Sequence, residues 1–140
     1  MSYYPSRYSN SQKAIDLQNE DTMLPIIQEY FNDSTICKLT DKYSLFDFRG
    51  RETLYELKTR HCNKNTCKTT IFPTKKFKFE PNTKKILIFS FDDGNYYIEY
   101  NEAFNTFKKE QNRFRYVEGR NDCVVEYVHI PVEALIPLSP

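Results

Sequence analysis

The chain has 140 residues, a length that predicts one domain with a hydrophobic core of its own. Aromatic residues make up 16% of it, which excludes an intrinsically disordered chain, and the formal net charge is +1. No apolar run approaches the roughly 20 residues that cross a bilayer, and the amino terminus lacks the apolar region of a signal peptide. We therefore expect a soluble, intracellular protein with no membrane partner.

The charge is unevenly distributed along the sequence. Residues 49–85, which we call the basic segment, contain eleven Lys and Arg against three Asp and Glu, a local charge of +8, and the rest of the chain carries −7. Such a block favours a surface that faces a polyanion, nucleic acid above all. A solvated charged face explains the same composition, so charge alone leaves both interpretations open.

The first predicted element is a helix within residues 19–33. Its apolar side chains recur at helical spacing: Met23, Ile26, Ile27, Tyr30 and Phe31. Asp21 or Thr22 can cap this helix, and Pro25 then falls in the first turn, where its missing N–H costs nothing.

Two hairpins are predicted after the helix. The run SLFDF (44–48), a turn at Gly50 and the run TLYELKT (53–59) predict the first one. The clearer second hairpin has a DDGN turn between the β-rich runs KILIFSF and YYIEY, within residues 85–100. We expect Asp92 and Asp93 to serve as turn residues.

The remaining elements are less regular. Pro73 ends an extended run, and the basic stretch after it predicts a short helix or turn. A helix is predicted within residues 101–114, where Ala103, Phe104 and Phe107 could pack on one side. A strong strand follows within residues 123–138. The sequence thus predicts a flexible amino-terminal segment over residues 1–19 and a single α/β domain over residues 20–140, built on a mixed sheet.

Three charged residues in the first hairpin point to chemistry. Side chains alternate along a strand, so Glu56 and Lys58 project from the same face, and Asp47 on the preceding strand can arrive beside Glu56. Two neighbouring carboxylates repel each other unless a cation lies between them, and Mg²⁺ bound by oxygen ligands is the usual solution. A lysine beside that ion could orient an attacking water and stabilise charge on a phosphate.

These residues, in the pattern FDF followed by YELKTR, resemble the PD-(D/E)XK nuclease superfamily, which includes restriction endonucleases and Holliday-junction resolvases. The closest likeness is to the short members found in phages and large DNA viruses. The resemblance covers roughly residues 20–100 and implies a restriction-endonuclease-like αβββαβ core, with a central mixed β-sheet flanked by helices. Phe46 stands where many members carry a proline before the aspartate.

The resemblance implies a role for each matching residue. Asp47, Glu56 and Lys58 become the catalytic residues, with Lys58 acting on the nucleophilic water. The carboxylates of Asp47 and Glu56 and the carbonyl of Leu57 would bind Mg²⁺ or Mn²⁺. Family members often add an acidic residue from the first helix, for which Glu20 is the candidate.

Further candidates follow from the same comparison. Glu29 is the second choice for the acidic helix residue. The family often carries a basic residue at the next core helix, a place that Lys76 fits, with Lys75 beside it. We expect Lys75, Lys76 and Arg60 to bind nucleic acid.

The sequence therefore predicts a metal-dependent DNA endonuclease, with DNA as partner and viral DNA processing as a context. A catalytically silent protein of the same fold, binding nucleic acid or acting as a virion or interaction protein, is the alternative. An exposed Glu56–Lys58 pair with no function, worth under about 1 kcal/mol, is the third reading. Many members dimerise to cut both strands, which raises a homodimer as an expectation. A viral source would place the protein in the host cytoplasm or nucleus, or in the virion.

Overall fold

The computed structural model describes residues 10–41, 44–114 and 123–138. Within these residues the chain is a mixed α/β fold with one α-helix. The helix is α1 (Asn10–Tyr30), and the strands are β1 (Cys37–Lys38), β2 (Phe48–Arg49), β3 (Thr53–Thr59), β4 (Thr69–Pro73), β5 (Lys84–Phe91), β6 (Gly94–Glu99), β7 (Lys109–Phe114), β8 (Cys123–Pro131) and β9 (Ile136–Pro137). Short 3₁₀-helices cover Lys64–Thr66, Thr74–Lys78, Glu102–Thr106 and Val132–Ala134.

The strands form two sheets. The larger is a mixed six-stranded sheet in the order β1-β2-β3-β5-β6-β9, and the smaller is an antiparallel three-stranded sheet in the order β4-β8-β7. The parallel pair β3–β5 lies at the centre of the larger sheet, and the chain between these two strands passes through β4 of the smaller sheet. A parallel pair needs such a crossover connection.

Strand β5 holds the layers together because both of its faces are apolar. Ile86 and Ile88 pack towards α1, whereas Leu87, Phe89 and Phe91 belong to a second cluster with residues of the smaller sheet. The six-stranded sheet therefore lies between α1 and the three-stranded sheet. Such burial on both faces is why the run KILIFSF is almost continuously hydrophobic.

The start of α1 differs from the prediction. The helix begins at Asn10, so Pro25 lies in its interior, and the predicted boundary between residues 19 and 20 falls inside it. Apolar periodicity could not reveal the first half, because Ile15 and Leu17 there are about half exposed while Met23 and Ile27 are buried.

The structure also corrects the prediction of a second helix. Residues predicted to be helical after Tyr100 form the 3₁₀-helix Glu102–Thr106 and then β7. The crossover between β3 and β5 contains β4 and the 3₁₀-helices Lys64–Thr66 and Thr74–Lys78. In the described part of the chain, α1 is thus the one α-helix, and the sheet is not flanked by helices on both faces.

Several predicted strands are confirmed. Strand β3 covers the predicted run 53–59, and β5 and β6 form the predicted hairpin around Asp92 and Asp93, with Phe91 paired to Gly94. The first hairpin is shorter than predicted, since β2 contains two residues. Its turn holds Gly50, where any side chain would collide with the Asp33 carboxylate at 2.6 Å. In the described residues no helix has the length and apolar character to cross a membrane.

Candidate active site

The candidate site opens where β2 ends and β3 continues. Strand β2 pairs with the first part of β3, through Phe48 opposite Tyr55 and Arg49 opposite Leu54. Asp47 lies just before β2 in sequence, and its backbone N–H donates to the carbonyl of Tyr55 at 3.0 Å. The second half of β3 therefore extends beyond its neighbour and leaves room for a cleft.

Asp47 is fixed beside β3 by its side chain as well. Its Oδ2 accepts a hydrogen bond from the backbone N–H of Leu57 at 2.8 Å. The N–H and C=O of one strand residue point to the same side. The Leu57 carbonyl therefore points towards this same open edge, which is where the resemblance requires a backbone ligand.

Glu56 and Lys58 lie on one face of β3, as predicted. Their parallel partners on β5 are Leu87 and Phe89, whose side chains face the smaller sheet. The Glu56 side chain is 4% exposed, and its Oε2 lies 3.4 Å from the Nζ of Lys58. The third reading of the sequence, a solvent-exposed pair, is therefore wrong for Glu56.

Lys76 completes the charged group from another element. It lies on the 3₁₀-helix Thr74–Lys78, and its Nζ donates to Oε2 of Glu56 at 2.6 Å. The ammonium groups of Lys58 and Lys76 each lie 5.8 Å from the ring centroid of buried Phe72. The face of this ring attracts both cations electrostatically.

One oxygen of this cluster has no partner. Both lysines approach Oε2 of Glu56, whereas its Oε1 is buried and makes no hydrogen bond to any described residue. A buried polar atom without a partner costs on the order of 1–3 kcal/mol, more when charged. Such an atom calls for an explanation, and a bound cation is one.

The pKa of Asp47 is strongly raised, to about 7. Burial is the main cause, and the neighbouring Glu56 carboxylate adds to it, while the hydrogen bond from Leu57 opposes both. Near neutral pH this carboxyl is therefore divided between its protonated and ionised forms. A cation beside it would replace the proton.

Glu20 of α1 lines the same cleft. Burial raises its pKa, the ammonium of Lys38 at 3.9 Å lowers it, and Glu56 and Asp16 raise it again. The net result is a raised pKa for Glu20. Glu29, the second sequence candidate, is exposed and lies outside the cleft lining.

The cleft has a volume of about 500 Å³. Its lining residues are Asp16, Glu20, Asp47, Glu56, Leu57, Lys58, Thr59, His61 and Lys76. The five predicted catalytic and metal-binding positions and the expected basic residue Lys76 are therefore together here. In the described residues, however, no three His, Cys, Asp or Glu side chains are close enough to share one metal ion.

The donor set fits a divalent cation held by few protein ligands. Asp47 and Glu56 supply adjacent carboxylates, the unpartnered Oε1 of Glu56 supplies a free lone pair, and Leu57 supplies a carbonyl on the same edge. Mg²⁺ keeps several waters and binds through one or two carboxylates together with substrate phosphate. Glu20 is not within the immediate group and would act through water.

The other predicted nucleic-acid contacts lie elsewhere. Arg60 donates to Thr70 Oγ1 at 2.9 Å and to the carbonyl of Ile71 at 2.7 Å, and its guanidinium lies over the Phe89 ring. These contacts tie β3 to β4, a structural use of the residue that the sequence did not indicate. Lys75 is exposed and lines a second groove.

Sequence reasoning missed three residues of the lining. Asp16 precedes Glu20 by one helical turn, so the spacing would have placed both carboxylates on one face had the helix start been recognised. Thr59 and His61 follow Lys58 at the end of β3, and His61 carried no signal beyond its position.

No family model, curated protein or solved structure matched this chain. The likeness to PD-(D/E)XK nucleases therefore stays a hypothesis, and the functional conclusion depends on the geometry of the cleft.

Proposed function

We propose that the chain is a divalent-metal-dependent DNA endonuclease that hydrolyses phosphodiester bonds in the cleft of Asp47, Glu56 and Lys58. One observation carries the proposal: the buried Asp47–Glu56 pair lies beside two lysines and retains one unpartnered carboxylate oxygen. A pair that served stability alone would gain from having every oxygen bonded.

Asp47 and Glu56, with the Leu57 carbonyl, would hold Mg²⁺ or Mn²⁺. When bound, the ion supplies Lewis-acid stabilisation of phosphate charge and lowers the pKa of a coordinated water. Glu56 is held in place by Lys76, and Asp47 by the N–H of Leu57. Both carboxylates are thus oriented before substrate arrives, which limits the reorganisation that the reaction requires.

Lys58 has the position to act on the nucleophile. Its side chain is 31% exposed and lines the open cleft, while its ammonium group contacts Glu56. There it would orient the attacking water and stabilise the negative charge that develops on phosphate. Lys76 is more buried and directly bonded to Glu56, so it is a positioning residue in this scheme.

DNA is the substrate class that the charge favours. Several cations of the basic segment are used internally, as in the Arg49–Glu80 and Lys84–Glu99 pairs and in Lys85, which is buried and bonded to backbone carbonyls. Lys58, Lys75 and Lys78 remain along the cleft and the groove beside it. Phosphate contacts of this kind give binding that weakens steeply with salt.

The proposal is tested by cleavage of supercoiled plasmid and branched DNA with Mg²⁺ or Mn²⁺. Wild type is compared with Glu56→Ala and Lys58→Ala, and Lys68→Ala serves as control because this exposed lysine lies outside both cavities. Cutting that requires metal and is lost in the first two variants alone supports the proposal. If the wild-type protein binds DNA but cleaves it with neither Mg²⁺ nor Mn²⁺, the proposal is contradicted.

A second candidate is a catalytically silent DNA-binding protein of the same fold. The close Lys76–Glu56 contact favours it, because an ammonium 2.6 Å from the carboxylate already supplies a cation. Salt-sensitive DNA binding that is unchanged by metal, by chelator and by Glu56→Gln would favour this candidate over the nuclease.

A further inference from the structure

A second groove lies on the other side of the 3₁₀-helix Thr74–Lys78. Its volume is about 600 Å³, and the smaller sheet forms much of its wall. Among its lining residues are Lys75, Phe77, Lys78, Tyr100, Phe104 and Lys109. This set contains three lysines and three aromatic rings, unlike the carboxylate-rich cleft.

The cations of the groove are available to a ligand. Within the described residues Lys75 and Lys78 make no ion pair, and both are exposed. Lys109 donates to the carbonyl of Phe104 at 3.2 Å. Among the described lining residues, the one carboxylate is that of Glu126, which already accepts a hydrogen bond from the Thr74 hydroxyl at 2.7 Å. The groove is therefore net positive and suited to an anion.

Three aromatic rings of the groove pack on one another. Tyr100 stacks on Phe77 with ring centroids 3.9 Å apart and planes 8° from parallel, and Phe104 contacts both rings edge to face. Phe77 and Phe104 are buried, whereas Tyr100 is 36% exposed. An exposed ring held by two buried ones is a platform on which a flat π-system can stack without ordering the side chain first.

The groove and the cleft share one wall. On the same 3₁₀-helix, Lys76 points to Glu56 while Lys75, Phe77 and Lys78 face the groove. A strand whose phosphate lies beside Lys58 can therefore continue over this short helix. Lys58, Lys75 and Lys78 of the basic segment lie along that path.

We propose that this groove binds an unpaired segment of the DNA whose phosphodiester lies in the cleft, with a base stacked on Tyr100 and phosphates at Lys75 and Lys78. The inference rests on the proposed function, and it adds substrate structure: DNA with a single-stranded tail or branch. Bases inside a duplex are stacked on each other, so only an unpaired base offers its face to the ring. Stacking on an aromatic side chain with cations along the backbone is the usual mode of single-strand binding.

The test compares two DNA probes in EDTA, so that binding is measured without cleavage. One probe is a blunt duplex, and the other is the same duplex with a single-stranded tail carrying 2-aminopurine. Fluorescence anisotropy gives affinity, and 2-aminopurine quenching reports stacking. The variants are Tyr100→Leu with Tyr100→Phe as its conservative partner, and Lys78→Glu with Lys68→Glu as its charge-matched control.

We expect wild type to bind the tailed probe about tenfold more tightly than the blunt probe, with quenching. Tyr100→Leu and Lys78→Glu should remove most of that preference, while Tyr100→Phe and Lys68→Glu keep it. Equal affinity for both probes would overturn the inference. So would a result in which poly-glutamate displaces the tailed probe as readily as an oligonucleotide does, because that would indicate a site for acidic peptides.

The two proposals fail separately. A tail preference in EDTA from a protein that never cuts would keep the groove and reject the nuclease. Cutting of blunt and tailed DNA at equal rates, with equal affinities, would keep the nuclease and reject the groove.

Discussion

Two glutamates of the basic segment form ion pairs of very different kinds. Glu80 receives Arg49 through both oxygens, at 3.2 and 2.5 Å, and Thr83 donates to it at 3.1 Å. Glu56 receives two lysines on one oxygen, and its other oxygen is buried without a described partner. The first arrangement uses every oxygen, as a bidentate structural pair does.

The contrast separates the pair that we propose to be functional from one that has a structural role. Glu80 is about a third exposed, and the hydrogen bonds from Arg49 lower the pKa of its carboxyl. Glu56 is buried next to Asp47, whose pKa rises to about 7. Perturbed groups converging in a cleft mark a functional site better than charge does. Substitutions at the two pairs should therefore have different effects.

The largest expected effect is on cleavage. Glu56→Gln keeps the shape of the side chain but removes its charge, so Mg²⁺-dependent cleavage should fall by about 10⁴-fold, since groups that act as a unit fail together. Glu80→Gln should cleave at close to the wild-type rate. Single-turnover assays on plasmid DNA measure both. Equal losses in the two variants would mean that Glu56 matters only for folding.

A smaller loss is expected from Lys58→Met, which keeps the side-chain length without the charge. Removing one donor from the developing phosphate charge should lower the rate by about 10²- to 10³-fold. Affinity for Mn²⁺ should change little, because Lys58 is not a ligand. Cleavage at the wild-type rate would show that Lys58 has no part in the mechanism. Arg49→Met is the control, because it removes a positive charge from the structural pair with Glu80.

Stability should depend on pH with opposite signs at the two sites. The native pKa of Asp47, about 7, is above its unfolded value, so the metal-free native state binds more protons and the free energy of unfolding falls as pH rises from about 4 to 7. Asp47→Asn should remove this fall, which amounts to a few kcal/mol. Denaturant titrations across pH measure it, and an unchanged pH profile in this variant would contradict the assigned pKa.

Glu80 provides the contrast. Its pKa is lowered by Arg49, so its contribution is present above the unfolded pKa and is lost as the pH falls through the folded value. Glu80→Gln should therefore flatten the acid limb of the same profile. A change on the neutral limb instead would show that the two sites are coupled.

The smallest effect is expected at Glu20. It lines the cleft at its α1 side without joining the immediate donor group, so Glu20→Gln should weaken Mn²⁺ binding by about tenfold, as loss of an outer partner does. Glu29→Gln, on the exposed part of the same helix, is the matched control. Loss of all binding in Glu20→Gln would make it a direct ligand.

The sequence predicted the elements whose patterns are local. Strand β3 follows from a β-rich run, and the β5–β6 hairpin follows from two such runs around a DDGN turn. The alternation of side chains along β3 was enough to place Glu56 and Lys58 on one face. The first half of α1 was missed because its exposed Ile15 and Leu17 give no buried stripe. The 3₁₀-helix Glu102–Thr106 and β7 were mistaken for a helix because Ala103, Phe104 and Phe107 fit helical spacing equally well.

Contacts between distant segments were beyond a sequence pattern. The hydrogen bond from Lys76 to Glu56 depends on the crossover of the chain through the smaller sheet. Only the family resemblance suggested a basic residue at position 76. Burial of Lys85 against the carbonyls of Glu80 and Thr83 had no sequence signal. The stacked pair Phe77–Tyr100 likewise joins segments that no local rule connects.

The central claim is that Asp47 and Glu56 form a divalent metal site, and calorimetric titration with Mn²⁺ at pH 8 tests it most directly. The claim predicts one site in wild type and in Glu80→Gln, and none in Asp47→Asn or Glu56→Gln. Absence of binding in wild type, or equal binding in Asp47→Asn, would contradict it.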